Sequence, residues 1–329
     1  MSMLSQAGSS DTAASILIEE PGEFIASIPA LLGFTPSNSL VLHVIDGPTL
    51  RVDLPGIAGH SGFTRHAADV VSRHGRQVIL TAIGGDEDDT TMPLRELIDR
   101  LIRDLHDAGV ETAGAWRVFA IAEGERWTCL VGDCHGFLPD PAATPVAAAR
   151  ELHGLQPYPS IAELDAALAQ DPMEDLERRA RRITVLRQVA ACADRCHELI
   201  TATIEAISAG ASAEDLDDDT LVRIGCALTG PGVLGQWLLD LASEEARTQS
   251  AVLWTRLVQA MPDGPERTGP ALLLAVAQHL AGAGVQANRA LRVAGTADPS
   301  NHLITLLSTA FQYGVTPREL HKILSRFTP

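Results

Sequence analysis

The sequence predicts an amino-terminal α/β domain, a mixed sheet with covering helices, followed by an all-α, tetratricopeptide-like helical domain. Three observations lead to this prediction. Strand-like and helix-like patterns alternate over residues 15–131, prolines and glycines gather over residues 132–145, and helical patterns fill most of residues 146–329. We therefore expect an α/β domain, a linker and a helical domain. A mobile leader over residues 1–14 should precede them, because serine, glycine and alanine are abundant there.

The first domain combines predicted strands with predicted helices. Six segments have the composition of strands: Ile16–Ile18, Leu40–Ile45, Leu50–Leu54, Gln77–Ile83, Trp116–Ile121 and Arg126–Val131. Helical patterns lie near Gly22–Leu32, Thr64–His74 and Pro93–Ala108. Asp46-Gly47 is typical of a tight hairpin turn, so the second and third strands should be adjacent and antiparallel.

The second domain has helix-start signals and a faint repeat. Ser160 with Glu163, and Thr316 with Glu319, have the spacing of capping boxes, and Met173–Ser208 predicts one long helix. Three pairs share the tetratricopeptide period of 34 residues: Leu257 and Leu291, Ala260 and Ala294, Pro265 and Pro299. We expect Gly269–Leu280 and Val285–Ala294 to form an antiparallel pair. An irregular helical bundle would give similar spacings and stays an alternative.

Composition excludes some classes of protein. Of 329 residues, 46% are hydrophobic and 20% charged, which is typical of a globular protein. A net charge of -17 repels a phosphate backbone, and only 4% of residues are aromatic, so few could stack on bases. We expect no nucleic-acid partner.

Targeting signals indicate a cytoplasmic protein. A signal peptide requires basic residues near its start, but no lysine or arginine precedes Arg51. The apolar run Ala271–Ala277 is too short to cross a bilayer. Five cysteines, an odd number in a chain of this length, argue against a disulfide framework. We expect no membrane partner.

Two loops of the first domain contain candidate ligand-binding residues. Asn38 and Ser39 lie between a predicted helix and a strand, where loops often hold sites; a purely structural turn explains them as well. Asp86 and Asp88 follow the strand Gln77–Ile83, at the end where open α/β sheets bind ligands. Carboxylates repel a phosphate unless a divalent cation intervenes, so a solvated acidic loop is the alternative.

Two cysteine–histidine groups are candidate zinc ligands. Cys129, Cys134 and His135 end the first domain, and Cys192, Cys196 and His197 lie on the long helix. Thiolate and imidazole bind zinc, but the spacings are not those of a zinc knuckle, and buried structural thiols are the alternative. Zinc is the one cofactor that the sequence suggests; otherwise none is expected.

The densest basic cluster lies on the long helix. Glu174, Asp175 and Glu177 precede Arg178, Arg179 and Arg181 by four residues, the spacing of helical ion pairs, and Arg182 completes the cluster. We expect a locally neutralised, solvated helix face, with a partner-docking stripe as the alternative.

Several segments resemble a known family. Ile28–Val41 and Arg51–Pro55 are similar to its amino-terminal signature, and Gly269–Leu274, Asp298-Pro299 and Gly314–Pro317 to its carboxyl-terminal signature. This actinobacterial family is DUF4192, a domain of unknown function. The resemblance implies a bacterial cytoplasmic setting, and it supplies no activity.

Two functions remain open. The first is a non-enzymatic binding or regulatory protein that uses its helical half for a protein partner. It is suggested by the density of helices, the faint repeat and the lack of a recognisable catalytic motif. The second is an enzyme or small-molecule sensor with a site between the loops of the α/β domain and the helical domain, as α/β architecture often provides.

Overall fold

The chain folds into two compact units. The computed structural model describes residues 3–5, 16–18, 20–54, 62–84, 92–151, 156–187 and 193–325. The first unit extends from Met1 to Glu163 and the second from Leu164 to Pro329. The predicted fold class is confirmed, since a mixed sheet with helices precedes a largely helical half.

The first unit contains the strands and the early helices. Its strands are β1 (Met3–Ser5), β2 (Ile16–Ile18), β3 (Ser39–Val44), β4 (Thr49–Asp53), β5 (Gln77–Ile83), β6 (Glu111–Val118), β7 (Arg126–Cys129) and β8 (His135–Phe137). Its helices are α1 (Pro21–Leu32), α2 (Phe63–His74), α3 (Met92–Asp107) and α4 (Pro145–Glu151), and α5 (Ile161–Ala166) spans the division.

Six strands form one sheet in the order β4-β3-β5-β6-β7-β8. Only β5 and β6 run parallel, connected through α3, and the other neighbours are antiparallel. The predicted hairpin is confirmed, with Leu40 opposite Val52 and His43 opposite Thr49. Asp46, rather than Gly47, takes the left-handed backbone conformation of its turn, at φ 60°. Aspartate tolerates this conformation better than most residues with a side chain.

The sheet buries both faces of its central strands. Leu40, Leu42 and Val44 on β3 join the core formed with α2 and α3. His43 points to the other face, where its ring lies 5.2 Å from that of Phe24 on α1. Because all six residues of β3 are buried, the strand needs helices on both sides of the sheet.

Two observed boundaries differ from the predicted ones. Strand β6 begins at Glu111 instead of Trp116. The predicted linker, residues 132–145, contains β8 and a 3-10 turn at Pro141–Ala143, and the division between units falls later. The glycines of this segment indicate a loop, but Gly136 is required by packing, because a Cβ there would lie 2.9 Å from the Trp127 ring. In the predicted leader, Met3–Ser5 pairs with β2; residues 1, 2 and 6–14 lie outside the described part.

The second unit is helical. Its helices are α6 (Met173–Leu186), α7 (Ala193–Ser208), α8 (Asp218–Ala227), α9 (Pro231–Asp240), α10 (Glu244–Ala260), α11 (Pro265–Leu280), α12 (Gly284–Ala297), α13 (His302–Gln312) and α14 (Pro317–Ser325). The predicted pair appears as α11 and α12, which pack together, with Ala287 and Ala294 fully buried. Two helices, α6 and α7, take the place of the predicted long helix, and residues 188–192 between them lie outside the described part.

Buried arginines join the helices of the second unit. Arg256 holds Asp171 with two hydrogen bonds of 2.9 Å, and Arg179 bonds the same carboxylate at 2.6 Å. Arg179 also donates to Asp218 at 2.7 Å and to the carbonyl oxygen of Ala260 at 3.0 Å. Burial raises the pKa of Asp171, but the bonds from Arg256 and Arg179 hold it below its ordinary value.

This network corrects the predicted charge pattern of α6. Arg179 is buried and pairs with Asp171 and Asp218, whereas its predicted partner was Asp175. Arg178 pairs with Asp175, three residues away, and with Asp218. The charge spacing predicts ion pairs within α6, but carboxylates that are distant in sequence bind the same guanidinium groups.

Within the described residues, no helix is long and apolar enough to cross a membrane.

Substitution Asp171→Asn should destabilise the second unit. It would leave Arg179 and Arg256, whose side chains are 5% and 7% exposed, without a shared counter-charge. Breaking a buried pair in this way costs about 3 kcal/mol. The exposed Asp219→Asn removes a pair 3.8 Å long and should cost less than about 0.5 kcal/mol. Urea unfolding of both variants measures the difference, and equal losses would contradict the role given to Asp171.

The stability of the first unit should fall as the pH falls from about 6.5 to about 4. Burial lowers the pKa of His43 from 6.5 to about 4, so the unfolded chain takes up the proton first. Unfolding free energy should therefore be about 2 kcal/mol lower at pH 5 than at pH 7 through this residue alone. His43→Gln should reduce the loss by that amount, and the exposed His66→Gln should leave it unchanged. Urea unfolding at both pH values tests this; equal pH dependence in the two variants would refute it.

Candidate functional site

One candidate site lies where the parallel strands β5 and β6 end. The strands finish at Ile83 and Val118, and the next residue, Gly84, donates its N–H to the Val118 carbonyl oxygen at 3.0 Å. Gly84 has φ 95°, a conformation that favours glycine. Ligands of open α/β sheets bind outside this carboxyl end.

Asn38 lies against Gly84 at this edge. Its backbone is left-handed, with φ 42°, and its carbonyl oxygen accepts the N–H of Leu54 at 2.9 Å. A Cβ at Gly84 would lie 2.4 Å from Asn38 Oδ1 and 3.0 Å from Asn38 Cα. Glycine is thus required by both its backbone angle and the approach of Asn38. The asparagine side chain is exposed, so its amide can reach a ligand.

Ser39, the other candidate, is the first residue of β3, and its hydroxyl forms hydrogen bonds within the protein. The residue is fully buried. Its hydroxyl donates to the Ser37 carbonyl oxygen at 2.6 Å and accepts from Arg51 Nε at 2.9 Å. Arg51 in turn pairs with Asp53 and lies 5.6 Å from the centre of the Phe34 ring. These contacts favour the structural alternative for Ser39.

The acidic candidates are not described. Asp86 and Asp88 fall within residues 85–91, outside the described part of the chain. Their role as ligands therefore stays a prediction.

The first cysteine group closes the hairpin between β7 and β8. Cys129 donates its backbone N–H to the Cys134 carbonyl oxygen at 2.7 Å. A hydrogen bond with the Cys129 thiol, followed by burial, raises the pKa of Cys134. His135 pairs with Thr128 one position further along. Because side chains alternate along a strand, this register turns His135 away from the two thiols.

The second cysteine group borders an aromatic cluster. The ring of His197 stacks on that of Trp237 at 5.1 Å, and Trp237 meets Trp254 edge-on at 5.5 Å. Burial raises the pKa of Cys226 to about 11, with further contributions from Glu266 and Cys196. Cys192 lies outside the described residues.

The described residues contain no group of three or more histidine, cysteine, aspartate or glutamate side chains able to hold a metal ion. The zinc hypothesis requires at least three of the six candidate residues to converge, and one of them, Cys192, lies outside the described residues. It therefore stays a prediction.

Two features of the structure were missed in the sequence. Helix α13 exposes large apolar side chains, with Leu306 65% and Tyr313 60% accessible. Leu306 and Tyr313 are seven residues apart, as are Leu303 and Ala310, and this spacing in the sequence indicates a single apolar helix face. The second feature is Arg150, buried at 8% exposure on α4, for which the sequence offered no signal because burial of a short helix depends on its neighbours.

A further cavity is an open groove of about 700 Å³. It lies between the end of α3 and the start of β6, the opposite end of that strand from Gly84. Its walls are mostly apolar, and its polar lining includes Arg103, His106, Asp107 and Glu111.

These features define a two-unit protein that joins an α/β sheet to a helical array. The chain belongs to the family described as Domain of unknown function (DUF4192), whose sequence profile matches residues 21–318. No curated protein and no solved structure matches the chain significantly.

Gly84→Ala should destabilise the first unit more than Gly124→Ala. Both glycines have positive φ, at 95° and 77°, but only Gly84 has atoms within reach of a Cβ. We expect a loss of about 1 kcal/mol at Gly124 from backbone strain and about 2–4 kcal/mol at Gly84 from strain plus displacement of Asn38. Urea unfolding measures both values. Equal losses would show that Asn38 does not depend on the glycine.

Proposed function

We propose that this is a cytoplasmic, non-enzymatic binding or regulatory protein whose helical unit holds a protein partner. The observation that carries the proposal is an apolar stripe along α13 and its C-cap residue. Leu306 and the C-cap Tyr313 are exposed, and Leu303 and Ala310 are partly buried. Exposed apolar surface of this kind is characteristic of interaction sites.

Helix α13 has two apolar stripes and uses one for its own core. Ile304 and Leu307 are buried at 9% and 7% exposure, and the ring of Phe311 stacks on that of His279 at 4.2 Å. The second stripe begins at Leu303, which touches the core only in part, and continues through Leu306 to Tyr313. A helix that is apolar over so much of its surface is usually covered on more than one side.

The absence of acidic residues, lysine and arginine from α13 supports an apolar contact at this helix. The sequence of α13 is HLITLLSTAFQ, without an aspartate, glutamate, lysine or arginine, in a chain of net charge -17. Hydroxyl and amide groups flank the stripe. A partner can therefore approach α13 without repulsion from charges on the helix itself.

The partner that fits is an amphipathic helix. Its apolar residues, spaced three and four positions apart, would pack along Leu303, Leu306 and Ala310 as helices do in grooves and coiled coils. In a tetratricopeptide-like array, which we propose for this unit, each helix stacks on neighbouring helices through its apolar faces. Nucleic acid and membrane are not among the partners we propose.

The double substitution Leu306→Ser and Tyr313→Ser should abolish partner binding and leave the fold intact. Both side chains are exposed, so their loss should change the free energy of unfolding by less than about 0.5 kcal/mol. The matched control is Val185→Ser with Val252→Ser, also exposed, at 62% and 50%. Affinity purification from the native host with quantitative mass spectrometry should recover a protein bound by wild type and control but absent from the α13 variant.

Two outcomes would contradict this proposal. One is the same set of bound proteins for all three forms. The other is concentration-dependent self-association of the wild type that the α13 variant lacks, measured by sedimentation; it would make a second copy of the chain the occupant of the stripe.

A second candidate function is an enzyme or small-molecule sensor. It is favoured by Asn38, which lies exposed with a left-handed backbone against Gly84 outside the carboxyl ends of β5 and β6. Ligand binding that survives the double substitution on α13 would distinguish this function from partner binding.

A further inference from the structure

Arg150 differs from the other buried arginines of the protein. In the part of the chain that the structure describes, five arginines are at least nine-tenths buried: Arg150, Arg179, Arg247, Arg256 and Arg267. Four of them are met by oxygen atoms. Arg179 and Arg256 bind Asp171, Arg247 donates to the carbonyl oxygens of Leu241 and Ala242, and Arg267 bonds Asp263 and two carbonyl oxygens.

Among the described residues, no oxygen atom accepts a hydrogen bond from Arg150. Its exposure is 8%, and its Nε is buried without a hydrogen-bond partner. Within the described residues its guanidinium makes no ion pair. The adjacent Glu151 accepts instead from Gln156, and Asp140 caps the 3-10 turn by accepting the N–H of Ala142. Burial lowers the pKa of Arg150, and no carboxylate opposes the effect.

The position of Arg150 is determined by local structure. Thr144 accepts the N–H of Ala147 at 3.3 Å and so begins α4, whose buried residues are Val146 and Arg150. These two are four residues apart and share the face of α4, which packs on α1 and on the 3-10 turn. The arginine is thus held in place by the packing of α4, and no carboxylate among the described residues pairs with it.

The sheet face under α1 contains another unpaired polar group. Thr81 follows Leu80, which joins the core on the α2 and α3 side, so Thr81 points to the side that α1 covers. Its hydroxyl is fully buried and makes no hydrogen bond. The layer that contains α1 and α4 therefore leaves the hydroxyl of Thr81 and the Nε of Arg150 without a hydrogen-bond partner.

We propose that Arg150 anchors a binding site for a small oxyanion, a carboxylate or a phosphate. A guanidinium offers a planar fork of N–H donors that matches two oxygens of such an anion. A buried charge of this kind is costly when unpaired and is stabilised when an anion supplies the missing acceptors. The site goes beyond the proposed partner surface, because it belongs to the α/β unit.

The test is thermal unfolding and titration calorimetry of the full-length protein in a chloride buffer without oxyanions. Inorganic phosphate, sulfate, acetate and citrate are added separately, which distinguishes the phosphate from the carboxylate class. At saturation the matching anion should raise the melting temperature of the wild type by about 3 °C or more.

Substitutions attribute the effect to this side chain. Arg150→Met should abolish the anion-dependent shift, and without anions it should melt no lower than the wild type, because it removes an unpaired buried charge. Arg150→Lys keeps the charge without the fork and should bind at least about 10-fold more weakly. The exposed Arg100→Met should behave as the wild type.

The proposal is overturned if none of the four anions gives heat or a shift, or if Arg150→Met responds like the wild type. A strong loss of stability in Arg150→Met without anions would also overturn it, because the arginine would then have partners in the protein. Should Arg150→Met fail to fold, Arg150→Lys decides: unchanged affinity refutes the site.

Discussion

A guanidinium taken out of water has to meet oxygen atoms, and the helical unit is arranged around this requirement. Asp171 accepts hydrogen bonds from Arg179 on α6 and from Arg256 on α10. Arg179 also donates to Asp218 and so connects α6 to α8. Arg247 satisfies carbonyl oxygens at the end of α9, which have no partner inside their own helix. The helices thus cross where charges and orphan carbonyls can be matched, and apolar packing fills the space between.

Much of the architecture could be predicted because it depends on periodicity. All six residues of β3 are buried and most are apolar, and this pattern identifies a central strand without knowledge of its neighbours. The ends of elements were harder. The strand β8 has three residues, too few for a pattern, and Gly136 within it suggested a loop although the Trp127 ring requires glycine there. Boundaries fail where one tertiary contact outweighs local composition.

The candidate sites were predicted less well, for a related reason. Polar residues in a loop can be recognised in a sequence, but their partners cannot. Asn38 is exposed beside Gly84, whereas the hydroxyl of its neighbour Ser39 forms hydrogen bonds with Ser37 and Arg51. For the arginines of α6, spacing favoured neighbours on the same helix, and the structure assigns Arg179 to carboxylates brought near by folding. Chemistry at a site depends on contacts distant in sequence.

The two units differ in how their buried arginines are satisfied. In the described part of the helical unit, each buried arginine donates to a carboxylate or a carbonyl oxygen, and α13 exposes the apolar side chain of Leu306. In the α/β unit, the Nε of Arg150 and the hydroxyl of Thr81 are buried without a hydrogen-bond partner. An exposed apolar helix face favours contact with another protein, whereas a buried donor without an acceptor favours binding of a small polar molecule. The two binding sites that we propose therefore differ in chemistry, with a protein partner on the helices and a small anion in the α/β unit.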